Sequence, residues 1–242
     1  ELGLNLSYKP TPSVLLSAQL LSRRAGEMYD GSPTVDFALV DWTFASDTDS
    51  VWGGMLGRVK NPLGLYNDTR DVPFTRPGIF LPQQVYFDRV RNLLHSYDGV
   101  RVYTRRYTDY GTWDIDAGIG QGMLDENVEF AFLNRDFGGE LESDGLSYVG
   151  RIGFETPDGV WRLALSGARV NLDFRRDAGD PIGDGDISIR YRIASAQYNA
   201  ERWSLTAEYM EEPFEYSGFG KPLDAASSTA QGYYLQGTYL MR

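Results

Sequence analysis

The chain has 242 residues, contains no cysteine and carries a formal net charge of −11 at pH 7. The lack of cysteine excludes disulfides, and apolar runs such as Val14-Leu15-Leu16 are far shorter than the roughly 18 residues that a membrane-spanning helix needs. The acidic balance argues against a general nucleic-acid binder, because such a protein needs cationic surface to displace counterions from phosphate. No nucleic-acid partner is therefore expected.

Alternation of apolar and polar residues begins at the start of the chain. Residues 2–9 place three leucines and Tyr8 on one face and small or polar residues on the other, which is the period of a β-strand. Similar alternation recurs at 187–193, 203–209 and 233–239. A composition with 14% aromatic residues and 27 glycines favours many short strands joined by turns. The sequence therefore predicts an all-β protein.

Connection lengths alternate along the chain when residues 100–121 are taken as one long strand with a bulge near Gly111. Short turns are predicted at about 10–13, 46–50, 122–126, 156–159 and 200–201, and longer loops at about 23–34, 61–99, 136–144, 175–185 and 213–229. Strict alternation places all long loops at one end of an antiparallel up-and-down meander, as in transmembrane β-barrels. The pattern gives about 11 strands at about 22 residues per strand and its connection, which is the spacing expected of such barrels.

The ends of this pattern predict strands beyond the chain. The first strand runs into a short turn and must descend, so an odd number of strands is expected before it. The last strand, at about 229–241, also descends and lacks the aromatic residue that usually ends such barrels, so more strands are expected after it. We expect one domain over residues 1–242, with 11–12 visible strands of a sixteen-stranded barrel that is incomplete at one or both ends.

Residues 61–98 form an inserted segment too long for an ordinary loop. Pro62 and Pro82, together with Phe80, Tyr86 and Phe87, make it too apolar for disorder, and loops of this length are usually functional. An ordered loop that folds inward after an upward strand resembles the constriction loop of sixteen-stranded general and substrate-selective bacterial porins.

Two stretches carry the same resemblance in sequence: 57–62 (Gly-Arg-Val-Lys-Asn-Pro) and 65–71 (Leu-Tyr-Asn-Asp-Thr-Arg-Asp) are similar to proteobacterial porin-like proteins. The resemblance implies a passive channel in the outer membrane of a Gram-negative bacterium. It also implies outer-membrane lipid and lipopolysaccharide as neighbours, small hydrophilic solutes as cargo, a homotrimer as one assembly, and no cofactor.

Basic charge is concentrated around this segment. Residues 58–106 contain nine basic side chains against four acidic ones, a local balance of +5 that leaves −16 for the rest of the chain. Arginine lining a pore attracts anions, and guanidinium binds carboxylate or phosphate in a bidentate way. The arginines predicted to line the pore are Arg58, Arg70, Arg76, Arg89, Arg91, Arg101, Arg105, Arg190 and Arg192. The competing interpretation is that arginines near the loop pair with Asp68, Asp71, Asp88 and Asp98 to pin it to the barrel wall.

Other chemistry has weaker support. His95 is the only histidine and has no nucleophile motif beside it, so no catalytic residue and no enzyme activity are expected. Asp114 and Asp116 share one strand face, which in a soluble fold would suggest glycoside hydrolysis. A group of loop carboxylates could hold Ca²⁺ but lacks the final glutamate of an EF-hand, so no metal site is expected. That group is Asp177, Asp180, Asp184 and Asp186.

Two function classes remain from the sequence. The first is a porin that allows passive diffusion of small hydrophilic solutes, with a preference for anions set by an Arg-rich constriction. The second is a β protein that transports nothing: an outer-membrane barrel that sheaths or anchors a partner, or a soluble carbohydrate-binding β-sandwich. The five tryptophans would be a sugar platform in the sandwich and part of an aromatic girdle in a barrel.

Overall fold

The computed structural model describes residues 2–26, 28–72, 75–76, 78, 80–134, 137–221, 223 and 225–241. Within these ranges the chain forms one antiparallel sheet of twelve strands and two α-helices. The strands are β1 (Leu2–Thr11), β2 (Val14–Ala25), β3 (Tyr29–Ser46), β4 (Ser50–Lys60), β5 (Ser96–Thr108), β6 (Gly111–Gly122), β7 (Glu140–Ser143), β8 (Ser147–Glu155), β9 (Trp161–Arg175), β10 (Gly185–Asn199), β11 (Trp203–Ser217) and β12 (Ser227–Tyr239). The helices are α1 (Arg91–His95) and α2 (Glu126–Leu133).

Every strand except β7 pairs with its neighbours in chain order, which makes the sheet an up-and-down meander. The short β7 pairs with the end of β9, and β8 pairs with the remainder of β9. β7 and β8 therefore share one position in the sheet, which is eleven positions wide. The predicted all-β meander with 11–12 visible strands is confirmed, and all twelve strands of the described residues belong to this one sheet.

Residues 100–121 do not form the single long strand that the sequence suggested. They belong to β5 and β6, which are joined by a tight turn at residues 109–110. Gly111 begins β6 at φ +144°, and a Cβ there would lie 2.2 Å from the carbonyl oxygen of Glu155. A side chain is therefore excluded where β6 meets β8, and the glycine marks a hairpin instead of a bulge.

The predicted short turn at 122–126 is also wrong, because residues 123–146 form a long connection that contains α2 and β7. The Asp125 side chain caps α2 by accepting a hydrogen bond from the Val128 backbone N–H at 3.0 Å. With β5 and β6 separated, the short turns fall at 12–13, 47–49, 109–110, 156–160 and 200–202. At the opposite end, the expected loop at 23–34 is replaced by extended strands joined across residues 26–28.

The two faces of the sheet differ sharply in exposure. On β9, Leu163 and Leu165 are exposed on what we call the outer face, while Ala164 and Ser166 are buried on the inner face. All five tryptophans are exposed near the short-turn ends of their strands: Trp42, Trp52, Trp113, Trp161 and Trp203. An exposed apolar band with an aromatic rim is the pattern of a sheet that faces lipid.

The core lies on the inner face, between the sheet and residues 61–95, which we call the inner loop. Leu63, Leu65 and Leu93 of the loop are buried there with Val59 of β4. A second apolar region covers β9 and β10 near their long-loop ends, where Leu172 and other side chains are fully buried. None of the described helices has the length and apolarity that crossing a membrane requires.

Candidate functional site

Asparagine side chains close the base of the inner loop. The Asn61 backbone N–H donates to the His95 carbonyl at 2.8 Å, which joins the two ends of the loop. Buried Asn67 donates from Nδ2 to the carbonyls of Asn61 at 3.0 Å and Leu94 at 2.6 Å. Because these groups are out of water, losing either bond would leave a buried polar group unsatisfied. The loop therefore leaves and rejoins the sheet at one fixed point.

Glu208 of β11 anchors the far side of the loop. Its carboxylate is only 2% exposed and accepts hydrogen bonds from the Leu65 backbone N–H at 2.9 Å and the Tyr86 hydroxyl at 2.6 Å. Ser195 of β10 and Tyr234 of β12 donate to the same carboxylate, each at 2.6 Å. Burial, together with the negative charge of Glu208, raises the pKa of Tyr86 well above its ordinary value, so Tyr86 stays a donor.

A buried ionic cluster anchors the near side of the loop. Arg91 donates to Asp36 at 2.7 Å and to Asp71 at 3.0 Å, and all three side chains are less than a tenth exposed. His95 Nε2 lies 2.7 Å from Asp36 and 3.3 Å from Asp71, and Lys60 Nζ lies 3.2 Å from Asp71. Asp36 is the extra residue of a β-bulge in β3, where the pairing with β2 shifts by one residue.

Charge and burial compete at Asp71. Burial of its carboxyl acts to raise the pKa, but the hydrogen bond from His95 and the charges of Arg91 and Lys60 outweigh burial. The pKa of Asp71 therefore lies well below its usual range, and the carboxylate remains ionised at neutral pH. Asp36, Asp71 and His95 offer ligand atoms within 4.8 Å of one another. We assign no metal there, because Arg91 and Lys60 already neutralise the two carboxylates.

A third set of ion pairs connects the first part of the loop to the wall. Asp68 of the loop lies 3.2 Å from Arg151 of β8. The Asp116 carboxylate of β6 forms ion pairs with Arg101 of β5 at 2.5 Å and with Arg151 at 3.2 Å. The loop is thus held to β3, β8 and β11, and the sheet between these strands must curve around it.

A polar cavity of about 460 Å³ lies between the inner loop and the inner faces of β1 and β2. Arg23, Arg70, Arg76 and Arg91 line it together with two carboxylates, so we call it the Arg-lined cavity. Its further lining includes Asn5, Gln19, Gln83, Asp71 and Asp88. Four guanidinium groups against two carboxylates give the cavity a positive balance.

The arginines of the cavity differ in how they are paired. Arg23 forms an ion pair with Asp88, and Arg70 Nη2 lies 3.1 Å from the same carboxylate. Burial and the neighbouring charge of Arg91 lower the pKa of Arg70 to about 10, so its guanidinium is still charged at neutral pH. Arg76 Nε is buried without a hydrogen-bond partner among the described residues. Among the described residues, Arg76 is therefore the cavity arginine with a buried donor left free for a ligand.

The predicted pore-lining arginines separate into three groups. Arg70, Arg76 and Arg91 line the cavity. Arg101 and Arg105 lie elsewhere on the inner face, where Arg105 pairs with Asp114 at 2.6 Å. The third group does not line the cavity. In it, the Arg89 guanidinium lies over the Phe130 ring of α2 at 4.3 Å.

The rest of the third group is a correction to the sequence prediction: Arg58, Arg190 and Arg192 lie on the outer face. Arg58 pairs with Asp98 at 2.9 Å, in the same alternation as exposed Val100 and Val102. Arg190 and Arg192 point away from the inner face because Ile189, Tyr191 and Ile193 between and beside them are buried there. Their partners are outer-face carboxylates of β11, Glu215 at 3.3 Å and Glu211 at 3.2 Å.

Sequence reasoning missed several residues of the site. Arg23 was missed because residues 23–34 were predicted to be a loop, although Arg23 continues the alternation of Gln19 and Leu21 toward the cavity. Asp36 depends on a bulge, and Glu208 was predicted only as one polar member of an alternating strand. The other candidates have structural partners: Asp114 and Asp116 bind arginines, and Asp180 accepts three backbone N–H bonds.

Of the comparisons with known proteins, only that with solved structures finds a match. A scan against protein-family models finds no match, and no curated protein matches the chain. Among solved structures, the chain is similar to OmpT, an outer membrane protein of Vibrio cholerae. The in-vitro folded trimer form has a TM-score of 0.47 at 10% identity and covers 98% of this chain and 74% of that chain. The outer-membrane expressed form has a TM-score of 0.46 at 12% identity, with 98% and 73% covered. This level of similarity does not establish a family.

Proposed function

We propose that this chain is part of a β-barrel of the bacterial outer membrane that conducts small hydrophilic solutes past its inner loop. The supporting observation is the contrast between the two faces of one sheet. The outer face carries an apolar band with tryptophans at one rim, while the inner face holds an anchored loop beside a polar cavity. A sheet with lipid outside and a polar interior is the architecture of a membrane pore.

Loop 61–95 sets the width and charge of the passage in this proposal. Its ionic and hydrogen-bonded anchors at Asp36, Arg151 and Glu208 hold it across the lumen. The Arg-lined cavity beside it presents more positive than negative groups, so anions are favoured by the local field. Diffusion through such a passage requires no cofactor and no catalytic residue.

Two measurements test this proposal. The first is single-channel conductance in a planar bilayer, and the second is uptake of neutral solutes of graded size by proteoliposomes. We expect discrete conductance steps and a sharp size limit for uptake. Deleting residues 64–86, which cross the inner face, should raise both the conductance and the size limit. A folded, membrane-inserted protein that shows neither conductance nor uptake would overturn the pore.

One observation favours the second candidate, a barrel that sheaths or anchors a partner. Ile187 and Ile189 of β10 are fully buried on the inner face with Leu172 and Phe174 of β9, so part of the interior is packed instead of water-filled. A barrel without conductance would fit this candidate. The pore is favoured because the packed region covers β9–β11, whereas the Arg-lined cavity lies beside β1 and β2.

A further inference from the structure

Three arginines cluster on the outer face of β9 and β10. Arg169 of β9 is directly opposite Arg190 of β10 in the pairing register, and Arg192 lies two residues along the same face. We call these residues the outer Arg cluster. Like charges placed directly opposite each other on antiparallel strands repel, so this arrangement of arginines does not stabilise the sheet.

Intramolecular pairing compensates the cluster only in part. Arg190 and Arg192 each form an ion pair with one glutamate. Their side chains nevertheless remain 42% and 61% exposed, respectively. Arg169 is exposed and has no ion-pair partner within the part of the chain that the structure describes. Exposed ion pairs of this kind are weak, so an external anion can compete for the guanidinium groups.

An apolar groove adjoins the cluster on the same face. It has a volume of about 730 Å³ and continues β10 from Arg192 toward the tryptophan rim through Ala194 and Ala196. Leu163 and Leu165 form one wall, and Tyr209 and Tyr233 form the other. The small alanine side chains leave a channel between bulky neighbours, and Arg192 lies two residues beyond Ala194 on the same face.

The position of the outer Arg cluster relative to the membrane indicates which ligand would occupy the groove. The cluster lies about six to eight residues along β10 from Tyr198 beside the tryptophan rim, roughly 20–26 Å of strand, or roughly 14–21 Å across the membrane at a strand tilt of about 35–45°. The outward side chains of β10 change there from Ala196 and Ala194 to Arg192 and Arg190, which marks the opposite boundary of the apolar band. That boundary is on the side where the long connections emerge. Tyr148, paired with Arg169 across β8 and β9, is exposed at the same level, as expected of an aromatic residue at a membrane interface.

We propose that the outer Arg cluster and this groove bind a phosphate-bearing, multiply acylated glycolipid of the outer leaflet, the chemistry of lipopolysaccharide. Guanidinium groups of the cluster would hold phosphate through bidentate hydrogen bonds, and one acyl chain would lie in the groove over Ala194 and Ala196. The inference rests on the proposed function, because it needs the outer face to contact lipid.

The test is titration of the detergent-folded protein with purified bis-phosphorylated lipid A, followed by native mass spectrometry. Replacing the cluster in R169Q/R190Q/R192Q should weaken binding about tenfold, since charge-assisted bonds to phosphate are lost. Lipid A stripped of phosphate should bind the wild type as weakly as intact lipid binds the variant. The matched control is Arg58→Gln, which removes another outer-face arginine and should leave binding unchanged.

The outcomes separate the site from the pore. Unchanged lipid A binding by the triple variant would overturn the site, as would phosphatidylglycerol binding the wild type equally tightly. Unchanged lipid binding with a changed oligomeric state would also overturn it and assign the groove to a second copy of this chain. If the wild type binds lipid A through the cluster but conducts nothing, the pore fails and the lipid site stands.

Discussion

The carboxylate of Glu208 on β11 accepts a hydrogen bond from the hydroxyl of Tyr86 at 2.6 Å, joining residues that lie 122 positions apart. This contact brings the tip of the inner loop onto strands far from its base at β4 and β5. Removing the hydroxyl in Tyr86→Phe should leave buried Glu208 short of one donor and destabilise the protein by about 1–3 kcal/mol. Urea titration of the detergent-folded protein measures the free energy of unfolding.

The matched control for this prediction is Tyr233→Phe, because Tyr233 lies on the outer face and is 76% exposed. Its loss should change the free energy of unfolding by less than about 0.5 kcal/mol. Equal effects of the two substitutions would show that Glu208 does not anchor the loop.

Substitution of Arg91 should lower the free energy of unfolding more than substitution of Tyr86, because Arg91 bridges two buried carboxylates. Arg91→Met would leave Asp36 and Asp71 with His95 and Lys60 only, and we expect a loss of about 3–5 kcal/mol in the free energy of unfolding. Arg91→Lys should lose less, since the charge stays while the forked geometry is lost. Arg89→Met is the comparison, because Arg89 contacts the Phe130 ring and should cost about 1 kcal/mol or less. A smaller loss for Arg91→Met than for Arg89→Met would contradict the ionic anchor.

Acid should release the loop through Asp71. The pKa of Asp71 is lower in the folded protein than in the unfolded chain, so its contribution to stability is present above about pH 4 and is lost as pH falls toward the folded-state value. Protease cleavage within residues 61–95 should therefore accelerate below about pH 4. In Asp71→Asn the acid dependence should shrink, whereas Asp109→Asn, in an exposed turn, should behave like the wild type. An acid response of Asp71→Asn as steep as the wild-type response would assign the titration elsewhere.

The corrected hairpin gives a prediction about backbone conformation. Gly111 has φ +144° and faces the Glu155 carbonyl, so Gly111→Ala should destabilise the β6–β8 pairing by several kcal/mol. Gly237→Ala is the control, since a Cβ at Gly237 would meet nothing within 4 Å. Thermal melts of both variants in detergent provide the comparison, and near-equal midpoints would contradict the assigned hairpin.

The sequence predicted strands well where one face meets an apolar surface over the whole strand, as the leucines at 2–6 show. The strand at 187–193 was also predicted, but the side that Arg190 and Arg192 face was wrong, because the apolar face reverses within this strand. On β10 the outward side chains change from Ala196 and Ala194 to Arg192 and Arg190, while the inward ones change from polar Ser195 to buried isoleucines. Alternation marks two faces but does not say which is inside, and here the answer depends on an apolar interior supplied by distant segments.

Local patterns were ambiguous at other points of the site. Residues 126–133 carry apolar residues that suit a strand as well as a helix, and the deciding signal was Asp125 as a helix cap. The loop was predicted from its length and its proline and aromatic content, but its partners Asp36, Arg151 and Glu208 come from strands far away in sequence. No spacing along the chain identifies such pairs, because they depend on how the sheet curves around the loop.

The most direct test of the central claim is the reversal potential across a tenfold KCl gradient for the wild type and for Arg23→Gln/Arg76→Gln, which removes two charges from the Arg-lined cavity. We predict an anion-selective wild type and a shift toward cations by a factor of about two in the permeability ratio, limited by screening. Arg106→Gln, an exposed arginine at the short-turn end of β5, should leave the reversal potential unchanged. An identical reversal potential for the wild type and the double variant would contradict a passage through this cavity.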